Sequence, residues 1–534
     1  MNIPGQHTSV LIVGAGPSGL MMAAQLLRNG IQPVIIDSKQ GPTTHSKALA
    51  VQARSLEIFR QLGVLDRALA DGKPAHGVSL NQNGKKMAEL SLDDMGDPQT
   101  LFPYLFMLPQ NKNERLLLDY LTQNCCPVYW NTSLVSMEQH IGHIDVKLHN
   151  DNEDMSLTCD WIIGADGSHS TVRRRLNIPF NGDTYQQEFY LADVLVDRQD
   201  DENIHLFLAK HGFAGFFLMP EGKRYRIVGN LPPNINNKQE LTFDDVKPYL
   251  KEVIKTDIHI TECSWFTTYK LHHRMAQKFA ERCCFLIGDS AHIHSPVGGQ
   301  GMNTGLQDAY NLAWKLAGVV NKQYRPAILE SYAAERMPVA TDLLKTTDRA
   351  FTFILSDSFF TRLLKQWLLP KILKKIWGSV KMREAFFTRV SQTGISYRES
   401  KLNLHLSRST KIKAGDRLPY LKLFDEKKQT ETDLHEWCAQ PGFTFLAMGK
   451  ITEMDLFSLA KWITQTYPNL LNFYYLPPSA RNQHIFDAFE VTSPYQKTLI
   501  IRPDMHIGLM NDGIDMEIIR KYMEDVIGVI SQKS

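Results

Sequence analysis

Cysteine is scarce in this chain and badly spaced for either of its structural uses. There are seven, an odd number, with Cys125–Cys126 and Cys283–Cys284 adjacent, and no CxxC occurs. That excludes a disulfide framework and a cysteine zinc site, and it reads as a reduced, cytoplasmic protein. Charge of one sign is lacking too. The 59 Lys and Arg against 57 Asp and Glu leave a net +2, so no nucleic-acid partner is expected. No long hydrophobic run survives uninterrupted. The apolar stretch Val10 to Leu27 is broken by Gly14, Gly16, Pro17 and Gly19 and has no basic leader, so it is neither a signal peptide nor a membrane anchor. Internal repeats and low-complexity segments are absent as well. What remains is an ordinary globular composition, 43% hydrophobic and 22% charged, over 534 residues. That length is too great for one core and suggests two to four domains.

The segment "TSVLIVGAGPSGLMMAAQLLRNGIQPVIID" reads as strand, glycine turn, helix, strand. Ser9 to Val13 is a continuous apolar run suited to a parallel sheet buried on both faces. The helix from Pro17 to about Asn29 stops at Gly30, and the second strand, Pro33 to Ile36, delivers Asp37. "LTCDWIIGADGSHSTVRRRL" is another apolar strand entering a glycine turn. From about Gly182 to Lys270 short alternating stretches predict an antiparallel sheet. Helical spacing dominates from Met302 to about Ser400, and "KAGDRLPYLKL" opens a final α/β region.

Gly14-x-Gly16-x-x-Gly19 lies between strand and helix, where such a motif binds a dinucleotide pyrophosphate. Its glycines allow the tight turn, close approach of the phosphates, and close helix–strand packing. The helix dipole favours the anion, and Asp37, 18 residues after Gly19, suits ribose hydroxyls. This motif alone does not separate FAD from NAD(P). "CFLIGDSAHIHSPVGGQGMNTGLQDAYNLAWKLA" is more telling. Asp289, Ser290, His292 and His294 sit close enough to suggest a hydrolytic triad or a metal site. Ser290 lacks the G-x-S-x-G turn, and the two histidines lack further ligands nearby, so no metal is expected. The favoured reading is a loop lining a cofactor. Its glycines, Gly298, Gly299 and Gly301, lead into an amphipathic helix with Met302, Leu306, Ala309, Ala313, Leu316 and Val320 on one face. Such a helix start suits an anion, for which an anionic reduced flavin is a good candidate.

These residues resemble the FAD-dependent single-component aromatic hydroxylases of the p-hydroxybenzoate hydroxylase type, in particular the longer members with a C-terminal thioredoxin-like domain. Three motifs match in order: Gly14-Ala15-Gly16-Pro17-Ser18-Gly19 with Asp37, "CDWIIGADGSHSTVR", and "RCCFLIGDSAHIHSPVGGQGMNTGLQDAYNLAWKLA". The closing "LIIRPDMHIGLM" resembles the long members too. The resemblance implies that Asp166 serves the flavin and a transient nicotinamide, that Asp289 holds the ribityl chain, and that Gln110 contacts the flavin. It implies that Pro296, Gly299, Gly301, Met302 and Asn303 carry the loop along the isoalloxazine ring. Lys47 stands where relatives usually have an arginine near the cofactor phosphates, keeping the charge but losing the bidentate fork. Arg54 is placed on a helix face beside the flavin. The implied fold class is α/β: a Rossmann-like FAD-binding domain, an antiparallel substrate-domain sheet and the thioredoxin-like domain. The implied boundaries are 1–181 (with 73–100 joining the substrate domain), 182–268, 269–400 and 401–534.

The implied cofactor is FAD, with NAD(P)H, NADPH in preference, as co-substrate visiting the same domain, since no second GxGxxG is present. The implied reaction hydroxylates a phenolic or polycyclic aromatic through a flavin C4a-hydroperoxide. The alternatives are an antibiotic-modifying monooxygenase acting on a rifampicin- or polyketide-type substrate, and a non-catalytic flavin-binding protein; a halogenase is disfavoured because no WxWxIP occurs. No catalytic residue is identifiable. His211, Arg224, Tyr225 and Arg226 are candidates in the alternating stretch, against the reading that each faces solvent. The expected partner is a small aromatic substrate, with a homodimer compatible. Cys438 lacks a partner two residues away, making the terminal domain structural rather than redox-active. The apolar, basic "LLKQWLLPKILKKIWGSVKMREAFF" is read as packing between domains rather than as a membrane-surface helix.

Overall fold

The computed structural model describes residues 5–530, apart from 45–47, 94, 97–98, 152, 198–201, 210–211, 233–234, 236–240, 257, 296, 356–370, 373–374, 376 and 493. The chain opens with β1 (His7–Val13), α1 (Pro17–Arg28) and β2 (Val34–Ile36). Then come α2 (Ala53–Leu62), α3 (Gln110–Gln123), the hairpin β3 (Thr132–Gln139) and β4 (Ile144–Asn150), and β5 (Glu153–Gly164). β1 lies between β2 and β5, parallel to both, with Leu11 opposite Val34 and Ile162. A strand enclosed on both sides and both faces tolerates only apolar residues, and Val10, Leu11 and Ile12 are fully buried. Val128–Tyr129 extends this sheet beyond β2, and Cys284–Leu286 extends it beyond β5. The β3–β4 hairpin joins β5 antiparallel.

A second eight-stranded sheet holds β6 (Phe180–Val196), β7 (Asn203–Ala209), β8 (Gly212–Leu218) and β9 (Arg224–Asn230); after α4 (Phe243–Ile254) comes its long strand β10 (Ile260–Ala276). Strands Gly77–Gln82 and Lys85–Ser91 complete one edge, so segments distant in sequence build one sheet. All pairings are antiparallel except that of β7 with Gly77–Gln82. α4 starts on a Thr242/Asp245 capping box and covers one face, packing Phe243, Val246 and Leu250 on Tyr190, Val194, Phe207, Phe216 and Ile227.

α5 (Gly301–Val320) and α6 (Glu330–Leu355) follow. α5 departs from the amphipathic expectation: every side chain from Asn303 to Gly318 is buried. Its polar face meets charged groups instead of water. Lys315 pairs with Glu335 at 2.8 Å, and Asp308 pairs with Arg336 at 2.7 Å. Arg502, from the C-terminal unit, reaches Glu335 at 2.7 Å and Asp504 at 2.6 Å. Buried charges survive only when paired this fully.

The C-terminal unit is a five-stranded sheet of β11 (Leu404–Leu406), β12 (Phe443–Met448), β13 (Leu471–Leu476), β14 (Lys497–Ile501) and β15 (Ile507–Asn511), in the order β11-β15-β14-β12-β13. β12 runs parallel to β13 and antiparallel to β14. Phe443 meets the Trp314 ring edge-on at 5.6 Å, so this unit shares a hydrophobic core with α5. Of the apolar, basic segment 363–387, residues 363–370, 373–374 and 376 lie outside the described residues. In the helix Val380–Val390 Phe387 is buried, while Val380, Met382 and Phe386 are exposed.

Candidate functional site

The first glycine turn joins β1 to α1. Gly14 has φ +106°, and a Cβ there would lie 2.3 Å from the Ala165 carbonyl oxygen. A Cβ on Gly19 would lie 1.9 Å from the Gly14 carbonyl oxygen. Both glycines are required by the chain's own backbone. Gly16 differs: its φ of −80° is open to any residue, and a Cβ would meet nothing within 4 Å. No contact within the fold demands glycine there. Pro17 opens α1, whose N-terminus has no side-chain cap. Asp37 is buried, and its carboxylate accepts from the Ala15 amide at 2.7 Å and the Lys39 amide at 2.8 Å, bracing the turn from β2.

The second motif follows β5. Asp166 accepts from the Ser170 hydroxyl at 2.5 Å and from the Thr171 and Val172 amides at 2.6 and 3.2 Å, so it caps the short helix Thr171–Arg175. Burial raises its pKa even against these bonds. Arg173 carries the motif to the third: its guanidinium donates to the Ser290 carbonyl at 2.9 Å and the Ser168 carbonyl at 2.7 Å.

The third motif begins at Gly288, φ +59°. Ser18 Oγ would lie 2.3 Å from a Cβ at Gly288 and equally close to one at Gly305. One hydroxyl thus joins the first turn, the third turn and α5. The Gly288 amide donates to Asp308 at 3.0 Å, fixing the turn on which Asp289 stands exposed. Ser290 is no nucleophile. Its hydroxyl is fully buried, 2.5 Å from the Gly164 carbonyl and 2.8 Å from the Ile287 carbonyl. His292 pairs with Asp308 at 2.7 Å, whose other oxygen takes Arg336. The triad reading of this stretch fails on the Ser290 contacts.

His294 stands differently. Its Nδ1 is 2.8 Å from the Ser295 carbonyl, which can only accept, so Nδ1 carries the proton and Nε2 is an acceptor. Burial pushes its pKa down to about 4, keeping the ring neutral. Among the described residues its Nε2 and the neighbouring Ser295 Oγ are buried without hydrogen-bond partners. Such orphans carry a desolvation cost unless a ligand meets them. Gly298 and Gly299 have φ +79° and +62°, which favour glycine, and a Cβ on Gly301 would press on the His294 ring at 3.3 Å. The N-terminus of α5 has no side-chain cap. Asn303 is fully buried and holds the loop: it accepts from the Gln52 amide and Ser55 hydroxyl and donates to the Ala50 and Gly299 carbonyls. Met302 is partly buried at this helix start. Gln110 opens α3, its amide on the Ala48 carbonyl and its side chain on Glu114. Lys47, Pro296 and His211 lie outside the described residues.

Arg54 requires correction. It is 2% exposed, paired with Glu57 at 2.9 Å, and donates to the Asp504 carbonyl at 2.7 Å. Its guanidinium faces the C-terminal unit and ties α2 to it. The alternating-strand candidates also separate. Period two puts Tyr225 on the α4 face, where it packs with Phe216 in the closed core, so it cannot line a site on the other face. Arg224 stands at the strand's start, on Ser264 at 2.9 Å and near Glu262, part-exposed. Arg226 is 2% exposed on the face away from α4, with Nε and Nη2 both 2.8 Å from Asp193. Its Nη1 points at the Ala48 carbonyl, 3.5 Å away, the same carbonyl that receives the Gln110 amide. Phe189, Phe213, Tyr269 and Leu271 cluster beside it on that face. The alternation in the sequence marks these residues; which face is closed becomes clear only once α4 is placed.

Residues 7–347 match the family model described as FAD binding domain. The chain is 34% identical over 346 residues to 6-methylpretetramide 4-monooxygenase of Streptomyces rimosus, covering 65% of this chain and 62% of that protein. It is 32% identical over 452 residues to pentachlorophenol 4-monooxygenase of Sphingobium chlorophenolicum, covering 81% of each. Among solved structures, the flavin-dependent monooxygenase PieE, in complex with FAD and substrate, superposes with a TM-score of 0.82 at 19% identity, covering 98% of this chain and 100% of that one. Aklavinone-11 hydroxylase, solved with FAD and aklavinone, gives 0.80 at 19% identity, covering 99% and 100%. At such identities these structures speak for the fold.

Proposed function

The chain belongs to the FAD-dependent aromatic hydroxylases of the p-hydroxybenzoate hydroxylase type, and on that premise we propose that it uses NAD(P)H and O2 to hydroxylate a phenolic or polycyclic aromatic compound. The observation that carries the cofactor assignment is the open space at Gly16, beside two glycines that the fold itself requires. The orphaned His294 Nε2 and Ser295 Oγ, and the uncapped start of α5, fit the same group at its other end. Asp37 would hold the adenosine ribose, Asp289 the ribityl chain, Gln110 and the Gly299–Asn303 loop the ring system. Bound FAD supplies hydride acceptance and oxygen activation.

The protein's own task is to hold the aromatic ring and its hydroxyl. Loss of the hydroxyl proton enriches the ring in electrons, so a donor that stabilises the phenolate promotes attack on an electrophilic oxygen. Arg226 suits that role. Asp193 holds it rigid and balances its charge, and Nη1 faces the loop of Ala48 and Gln110 over a contact long for a hydrogen bond. Phe189, Phe213 and Tyr269 offer the aromatic wall. The terminal unit is read as thioredoxin-like, supported by the β-α-β-α-β-β-α order that β12–β15 make with the helices Glu453–Thr466, Gln483–Ala488 and Met516–Lys521, and by the strand order β13-β12-β14-β15. Its Cys438 is buried, with its pKa pushed up to about 12, which suits a structural rather than a redox role.

The test is a panel of simple phenols, tetracyclines and rifamycins screened for accelerated NADPH oxidation. A substrate should give hydroxylated product, and its methoxy analogue should give NADPH oxidation with hydrogen peroxide in place of product. Equal hydroxylation of the methoxy compound would refute the phenolate role. A flavin-loaded protein that no aromatic compound stimulates would be a binding protein instead.

A further inference from the structure

Away from the glycine turns, the β3–β4 hairpin is closed by the turn His140-Ile141-Gly142-His143, with the His140 amide 2.9 Å from the His143 carbonyl. Gly142 supplies the left-handed residue the turn needs, φ +88°. This geometry stacks the two imidazoles, centroids 5.0 Å apart and 24° from parallel. Asp145, on β4, turns one carboxylate oxygen to each ring: Oδ2 is 3.1 Å from His140 Nε2, and Oδ1 is 3.5 Å from His143 Nε2. Ligand atoms of the three side chains lie within 4.8 Å of one another. The His140–Asp145 contact is not aligned as a hydrogen bond, and His140 Nε2 is shielded from solvent with no such partner among the described residues.

The strand register adds a second observation. Glu138 stands directly opposite Asp145 across the antiparallel pair. Like charges so placed destabilise a hairpin, and a cation between them removes that cost. The nearby Arg282 guanidinium is directed to the main-chain carbonyls of Gln139 and His140, at 3.5 and 3.3 Å. We propose that His140, His143 and Asp145 bind a late first-row divalent metal ion of the zinc type, with Glu138 placed to complete the site. Two imidazoles with carboxylate favour zinc, nickel or copper over magnesium or calcium. Metal–ligand bonds of about 2.0–2.1 Å give a tetrahedral edge of about 3.3 Å; His140 Nε2 stands 3.1 Å from one Asp145 oxygen and His143 Nε2 3.5 Å from the other, so side-chain rotations alone bring the three ligands onto one ion. The ion would pin the hairpin tip and take no part in oxygen chemistry.

Untagged, flavin-loaded protein, stripped with chelator, is titrated calorimetrically with zinc chloride. One equivalent should bind in the wild type. His140→Ala/His143→Ala should lose affinity by about tenfold or more, the loss typical even of second-layer metal partners. Asp145→Asn should weaken binding too. His149→Ala serves as the control: this histidine faces Asp154 at 2.8 Å farther along the hairpin and should leave the titration unchanged. Matching melting temperatures would show that all variants are folded. Equal zinc uptake by the wild type and the double histidine variant, or loss of binding in His149→Ala alone, would overturn the proposal.

Discussion

At the start of α1, glycine is demanded by backbone meeting backbone; at the start of α5, it is demanded mainly by conformation. Gly14 and Gly19 leave no room for a Cβ against Ala165 and Gly14, whereas Gly298 and Gly299 adopt positive φ. The supports differ as well. The first turn is held by its neighbours β1 and β2, through Asp37 and the Ala15 amide. The second is held from far off: Asn303 ties it to Gln52, Ser55 and Ala50, and on the next turns of α5 Asp308 grips the Gly288 turn, Arg336 grips Asp308, and Arg336 meets the Tyr397 hydroxyl at 2.9 Å. One half of the site is therefore a local motif, and the other depends on groups gathered from the length of the chain.

The largest effect should come from attacking the local half. Gly19→Val would drive a side chain into the Gly14 carbonyl, and neither backbone can yield. The variant should fail to give soluble folded protein, checked by circular dichroism and yield. The distant half should be breakable without touching a glycine. Asp308→Ala leaves Arg336 and His292 buried with their charge partner removed, which costs about 3–5 kcal/mol. Denaturant melts should show that loss together with weakened flavin retention. If stability were unchanged, the second turn would not depend on this network.

Acid should strain the second half next. The folded pKa of His294 is about 4, below its ordinary 6.5, and burial lowers that of His435 too. Between these values the unfolded chain binds protons that the folded chain refuses. The histidine contribution is therefore complete above about pH 6.5 and declines as pH falls toward 4, by up to about 3 kcal/mol for His294. Glu57, held at about 2 chiefly by Arg417 against the cost of burial, adds a further loss from 4.5 downward. Melting temperature of the flavin-free protein against pH should be flat from about 6.5 to 8 and fall below 6.5. A smaller effect is expected at the exposed Asp289. Asp289→Ala should weaken FAD binding by about ten- to hundredfold, the worth of a charge-assisted hydrogen bond, with the flavin-free melt nearly unmoved.

The same contrast explains how much could be read from the sequence. The first motif, the second and the glycines of the third are local patterns, and each announces strand, turn and helix within some thirty residues. The polar face of α5 was misleading. Asn311, Lys315 and Asp308 look solvent-facing until Glu335, Arg336 and Arg502 arrive from up to almost two hundred residues away. Arg54 failed for the same reason, because its acceptor is the main chain at Asp504. Tyr225 and Arg226 were legible as alternating strand residues, yet neighbours in sequence fall on opposite faces, and only α4 decides which face is closed. The paired imidazoles at His140 and His143 were hidden in a turn whose register no composition argument supplies.

The most direct measurement concerns Gly16, whose Cβ position is empty of protein. Wild type and Gly16→Val should be purified together and their FAD content measured after acid precipitation. Wild type should release close to one equivalent of FAD into the supernatant, since no flavin linkage is expected. Gly16→Val should melt like flavin-free wild type but carry little or no flavin. A well-folded Gly16→Val protein with a full complement of FAD would contradict the account, for the pyrophosphate would then lie elsewhere.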